Sequence, residues 1–215
     1  MSDLVASLER AVVVRGGFPL LSGVDLQLAP ATITVLTGAN GAGKTTLLRL
    51  LGGLVAMTSG SGRVCGVDLA RDDLRALRRK VGWLGHEPSF YDDLSVRENL
   101  TFAARALGRP LDELAPALER VGLSDRRDVS ARRLSAGQRR RLGLAWLLVR
   151  RPDLWLLDEP YAALDVDGRH FLDELFADVV AAGASVVVSA HDTLGATSRD
   201  VTTVRLVGGR VETRA

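Results

Sequence analysis

The apolar positions of this chain fall in short runs divided by glycine-rich breaks, the pattern of a layered α/β domain rather than of one long amphipathic stripe. Val12–Val14 and Val24–Leu28 read as brief strands on either side of a turn region at Gly16-Gly17-Phe18-Pro19, which predicts a small antiparallel layer. Ile33–Leu36 is a continuous apolar run, as expected of a strand covered on both faces, and the segment Thr45–Leu54 behind it predicts a helix. Arg63–Val67 reads as a further strand. Asp72–Lys80 has helical periodicity and ends at the apolar strand Val81–Leu84. Ser95 and Glu98 have capping-box spacing, so a helix is expected from Val96 to Leu107, stopped at Gly108-Arg109-Pro110, with another over Leu114–Val121. Helices that follow one another without intervening strands predict an inserted helical subdomain instead of further βαβ units. Leu154–Leu157 and Val186–Ser189 are two more buried strands.

Composition narrows the picture without redirecting it. At 215 residues and 47% hydrophobic content the chain is one large domain, or a core with a subdomain. The apolar runs Leu142–Val149 and Val186–Val188 are far shorter than a bilayer-crossing segment. The start, MSDLVASLER, lacks a basic stretch followed by an apolar core, which places the chain in the cytoplasm by expectation. Cys65 is the single cysteine, can form no internal disulfide, and in its Val-Cys-Gly setting is expected to pack rather than to react. The formal charge of +2 does not call for a nucleic-acid partner, although arginine dominates: Lys44 and Lys80 are the only lysines.

The candidate chemistry begins at Gly38-Ala39-Asn40-Gly41-Ala42-Gly43-Lys44-Thr45-Thr46, reading GANGAGKTT between the apolar strand and the leucine-rich helix. Glycines let such a loop curl so that successive N–H groups point at phosphate oxygens, and the following helix adds its free donors and positive dipole end. Lys44 would reach the β- and γ-phosphates, and the Thr45 hydroxyl would take one place around a magnesium ion. This indicates a nucleoside triphosphate and nothing finer. The run Leu154–Leu157 ends in Asp158-Glu159, acids delivered at the carboxyl end of a buried strand, where ligands of parallel sheets bind. Asp158 is suited to the magnesium ion and Glu159 to deprotonating an attacking water. Ser135 and Gln138 in Leu134-Ser135-Ala136-Gly137-Gln138 form a second capping box, either an ordinary capped helix or an anion site that includes Gly137. His191 lies just past the Val186–Ser189 strand, where it can contact a γ-phosphate.

In order, GANGAGKTT, the loop at His86, LSAGQ, LWLLDEP, AALD and SAHD resemble the ATP-binding subunit of ABC transporters over essentially the whole chain. The resemblance implies an ABC-type P-loop NTPase fold of the α/β class: a mainly parallel sheet with flanking helices, a small antiparallel β layer and an inserted α-helical subdomain. The nucleotide-binding core would comprise residues 1–85 and 150–215, and the helical subdomain residues 86–149. Gly38–Thr46 would be the Walker A loop, Ser135, Gly137 and Gln138 part of the signature motif, Asp158 and Glu159 the Walker B pair, Asp165 the D-loop acid and His191 the switch histidine. Two such chains would sandwich two ATP with Mg2+, each nucleotide lying between one chain's loop and the other's signature helix. His86 stands where the family usually has glutamine. Arg15, with Phe18 as the alternative, stands where an aromatic side chain commonly stacks on adenine.

The Gly-His at 85–86, the Arg-Gly at 15–16, LSAGQ followed by arginines, and LWLLDEP are together similar to the haem-exporter ATPases of cytochrome c biogenesis. This implies an ATP-hydrolysing motor on the cytoplasmic face of the inner membrane. It would be bound to integral membrane permease subunits around Phe90 and Tyr91, with no direct contact with the transported substrate and no nucleic acid. An exporter for a drug, lipid or glycan is the alternative within the class. A soluble ABC ATPase acting on nucleic acid or ribosomes fits less well, because such proteins typically carry two ATP domains or a long coiled-coil insertion.

Overall fold

The structure is a computed structural model, and it describes residues 4–85, 90–162, 164–190 and 201–212. In chain order, β1 (Ala6–Arg15), β2 (Phe18–Leu28) and β3 (Ile33–Thr37) lead into α1 (Lys44–Leu51), followed by β4 (Ser59–Val64), β5 (Val67–Asp68), α2 (Leu74–Lys80) and β6 (Val81–Leu84). Next come α3 (Val96–Ala106), α4 (Leu114–Arg120) and α5 (Ala136–Arg150). Last are β7 (Leu154–Leu157), α6 (Val166–Ala181), β8 (Ser185–Ser189), β9 (Val201–Val207) and β10 (Arg210–Glu212). The chain divides into two compact units, Met1–Trp83 with Asp153–Ala215, and Leu84–Pro152.

The first unit holds two sheets. One has the order β2-β1-β4-β5 and is antiparallel; the other has the order β10-β9-β3-β8-β7-β6, with β9, β3, β8 and β7 mutually parallel and β10 turned back at the edge. All four residues of β7 and all five of β8 are buried, which is why both strands are written as unbroken apolar runs. Helix α1 is amphipathic in the same economy: Leu47, Leu48, Leu50 and Leu51 are buried in one core cluster with Leu154, Leu156, Val187 and Leu206 of the parallel sheet and Leu8, Leu26 and Val64 of the antiparallel one. Truncating any of these leucines to alanine would cost about 2–5 kcal/mol, so the helix carrying the phosphate loop is held firmly in place. It ends at Leu51 rather than Leu54 because Gly52 caps it and Gly53 turns the chain at φ 63°.

The expected strand Arg63–Val67 is instead a hairpin. Cys65 and Gly66 take left-handed conformations, at φ 47° and 81°, and Val64 pairs back on Val67. Burial, with Asp153 adding to it, pushes the Cys65 thiol up to about 11, so it stays protonated and packs against the core. The first hairpin turns at Gly16-Gly17 alone, with Phe18 and Pro19 already in β2 opposite Arg15 and Val14.

The second unit is helical. Its two principal helices begin as the sequence indicates, each with a reciprocal capping box, Ser95 with Glu98 on α3 and Ser135 with Gln138 on α5. An aromatic cluster links its parts: Phe90 lies 6.0 Å from Trp146, and Tyr91 meets Phe102 edge-on at 5.0 Å. The segment between Phe90 and Ser95 has no regular structure but is pinned throughout. Asn99, fully buried, accepts from the Tyr91 N–H and donates to the carbonyls of Tyr91, Leu94 and Ser95. The Ser130 hydroxyl and the Arg132 N–H donate to the Asp92 carbonyl, and Arg139 of α5 binds the Asp92 carboxylate at 2.7 Å while its guanidinium lies over the Phe90 ring.

Candidate functional site

The loop Gly38–Thr46 joins β3 to α1. Gly38 is indispensable sterically: at φ 142° a Cβ on it would lie 2.3 Å from the Leu206 carbonyl oxygen of β9. Helix α1 starts with no side-chain cap, its N-cap being Gly43, so the donors of its first turn are left to a ligand. Lys44 is 6% exposed, and its ammonium donates to the carbonyls of Gly38 at 2.7 Å and Ala39 at 3.2 Å. The cation is thereby folded over the loop and held among acceptors. Asn40 and Gly41 are exposed at its rim, and Ala42 is buried beneath it.

Beside the loop is a polar junction. The Thr45 hydroxyl lies 2.9 and 3.1 Å from the two carboxylate oxygens of Asp158, which is 9% exposed at the end of β7. Ser189, fully buried at the end of β8, donates its hydroxyl to Asp158 Oδ1 at 2.7 Å and accepts the Glu159 N–H at 2.8 Å. Glu159 itself sits at φ 51°, a left-handed conformation uncommon for a residue with a side chain. Thr45, Asp158, Ser189 and Glu159 are therefore one connected unit. Ser189 is the member that sequence reasoning missed: it was legible only as the end of a strand, because its role depends on the register that pairs Leu157 with Val188 and so sets Asp158 level with it.

Among the described residues no cluster of three or more His, Cys, Asp or Glu side chains is placed to hold a metal unaided. The donor set still suits magnesium: a hydroxyl and a buried carboxylate are hard oxygen ligands, and this ion takes one or two protein ligands and completes its shell with water and phosphate.

The remaining candidates lie apart in role. Ser135 and Gly137 are exposed at the start of α5. The Ser135 hydroxyl accepts from the Gln138 N–H, and the Gln138 side chain accepts from the Ser135 N–H, so the N–H groups of Ala136 and Gly137 are the donors that the capping box does not use. Asp165 is the N-cap of α6, its carboxylate accepting from the Gly168 N–H at 2.8 Å. Arg15 and Phe18, the two candidates for the adenine, are cross-strand neighbours at the tip of the first hairpin, and Phe18 is 75% exposed. His86 and His191 lie outside the described residues.

The sequence profile of the family described as "ABC transporter" matches residues 21–162, and the chain belongs to that family. Within it, the chain is similar to the cytochrome c biogenesis ATP-binding export protein CcmA of Rhodopseudomonas palustris, 42% identical over 87% of this chain and 92% of that protein. It is likewise similar to the protein of the same name from Methylococcus capsulatus, 40% identical over 90% and 94% of the two chains. Among solved structures, an ATP-binding subunit of an ABC transporter superposes with a TM-score of 0.88 at 26% identity, covering 98% of this chain and 89% of that one. The fold and the loop are thus those of an ATP-binding domain.

Proposed function

We propose that this chain is the ATP-hydrolysing motor of a membrane transporter of cytochrome c biogenesis, and that the complex it drives handles haem. The observation that carries the hydrolytic part is the junction of Thr45, Asp158, Ser189 and Glu159 beside the phosphate loop. The transporter assignment is supported by about 40% identity to CcmA proteins over more than nine-tenths of their length.

In this reading the loop amides from Gly38 to Thr46 and the ammonium of Lys44 bind the β- and γ-phosphates, Lys44 exchanging its loop carbonyls for phosphate oxygens. Thr45 and Asp158 hold Mg2+, which neutralises phosphate charge when bound. Glu159 takes the proton of the attacking water, its carboxyl aimed by a backbone turn that Ser189 fixes. Arg15 or Phe18 stacks on adenine, and His191 contacts the γ-phosphate by family resemblance alone. Ser135, Gly137 and Gln138, with Asp165, serve the nucleotide of a second copy, so hydrolysis awaits closure of two chains. No helix among the described residues is long and apolar enough to cross a membrane. Integral permease subunits meeting Phe90 and Tyr91 would hold the motor at the cytoplasmic membrane face.

The first test is Glu159→Gln. The variant is expected to bind ATP and accumulate as a dimer, with turnover reduced roughly 10²–10⁴-fold; near-normal turnover would remove Glu159 as the base. For the transporter assignment, a strain lacking this chain should lose its c-type cytochromes and regain them with the wild-type chain but not with Lys44→Ala. Normal c-type cytochromes in the deletion strain would refute it.

A further inference from the structure

The C-terminal hairpin, outside the residues matched by the family profile, touches the back of the phosphate loop at several points. The Gly209 N–H donates to the Ala42 carbonyl at 3.0 Å, and the Gly209 carbonyl accepts the Ser22 N–H of β2 at 2.8 Å. Gly209 is buried at φ 76°, and a Cβ on it would lie 2.8 Å from the Leu20 carbonyl oxygen and 3.3 Å from Leu21 Cα. Gly43 faces the same seam, where a Cβ would come 2.9 Å from the Leu20 carbonyl oxygen and 3.6 Å from Gly209 Cα. At the other end of the loop, Gly38 rests on the Leu206 carbonyl of β9. Neighbouring Gly208 shares the left-handed backbone, at φ 54°, but none of the contacts: it is exposed, and a Cβ there would meet nothing within 4 Å.

We infer that the β9–β10 turn is a positioning element for nucleotide binding, with Gly209 as the residue that sets the direction of the phosphate-loop amides. The physical link is the planar peptide between Ala42 and Gly43. In a trans peptide the C=O and the N–H point opposite ways, so anchoring the Ala42 carbonyl on Gly209 turns the Gly43 N–H away from the hairpin, toward the concave side of the loop. A phosphate bound by the loop amides and a hydrogen bond made by the Ala42 carbonyl then favour the same orientation of one peptide. Each should strengthen the other, and the coupling is reciprocal. The inference rests on the reading of the loop as an ATP site.

The test uses the full chain in two ways. In wild-type protein, saturating ATP with Mg2+ should slow hydrogen exchange of the Gly209 amide about tenfold, alongside the loop amides, within the usual range of coupling between linked sites. Then Gly209→Ala should weaken ATP binding about tenfold or more, the loss falling on KM with kcat at saturating ATP kept within about threefold, while Gly208→Ala binds as wild type. Loop amides that slow while Gly209 does not would overturn the inference even if Gly209→Ala fails to fold. Equal ATP affinity of a folded Gly209→Ala would overturn it as well. If ATP protects no loop amide, the nucleotide reading itself falls, and the inference with it.

Discussion

Around Asp158 the chain has closed its polar groups on one another: both carboxylate oxygens accept from Thr45, one also accepts from Ser189, and Ser189 in turn takes the Glu159 N–H. At the start of α5, by contrast, Ser135 and Gly137 are exposed, and the capping box leaves the N–H groups of Ala136 and Gly137 to solvent or a visitor. The first arrangement spends folding energy to order a buried acid before any ligand arrives, the condition under which fixed dipoles act without reorganising. The second stores donors and a helix dipole where they act only on something brought to them. Two parts of one ATPase thus differ: the fold itself orders the acid pair, while the helix start keeps donors open that, under the proposed function, a second copy would meet.

That contrast can be broken most decisively at Ser189. Ser189→Ala removes the bridge between Asp158 and the Glu159 backbone without touching the loop, so turnover should fall about 10–100-fold, as for losses of residues that orient metal ligands. ATP affinity should stay within about threefold. Steady-state kinetics alongside equilibrium ATP binding check this; unchanged turnover would show that the acid pair needs no outside bracing. A smaller effect is expected at the open end. Ser135→Ala removes an N-cap and should lower stability by about 1 kcal/mol in urea unfolding. It should leave ATP binding to dilute monomer intact while depressing turnover at high protein concentration; equal losses at all concentrations would mean that the helix start serves its own chain.

The smallest effect sharpens the same point at the sister cap on α3. The Ser95 N–H and hydroxyl hold the Glu98 carboxyl below its ordinary value. A depressed folded value means that the stabilisation is present above the ordinary glutamate value and disappears as pH falls through the folded one. Wild-type chain should therefore outlast Glu98→Gln in urea at pH 7 and lose that margin in acid. A margin that persists in strong acid would exclude the capping box as its cause.

What the sequence made legible was local. GANGAGKTT, the two capping boxes and the Leu154–Glu159 strand each complete their meaning within a few residues, and so does the break after α3. What it hid depends on register or on distant contacts. Ser189 matters because β7 and β8 are parallel neighbours, and Gly209 because β9 comes to lie beside β3 and the loop that follows it. Strands β9 and β10 carry Thr202, Thr203, Arg205 and Arg210 among their apolar positions, so two partly exposed strands at the margin of the sheet gave no unbroken run to notice. The Val64-Cys65-Gly66-Val67 stretch looked like one strand because nothing in composition marks a cysteine for a left-handed turn.

The segment from Phe90 to Ser95 has a consequence for timescale. A stretch of chain without helix or strand ordinarily fluctuates in nanoseconds to microseconds, independently of its neighbours. Here Asn99 of α3, Ser130, Arg132 and Arg139 of α5 hold Tyr91, Asp92 and Leu94 by backbone and side chain together. The loop therefore inherits the tempo of the helices it is bound to: it moves when they move and is quiet when they are quiet. Phe90 and Asp92 are thereby tied to the first turn of α5 through one side chain, Arg139.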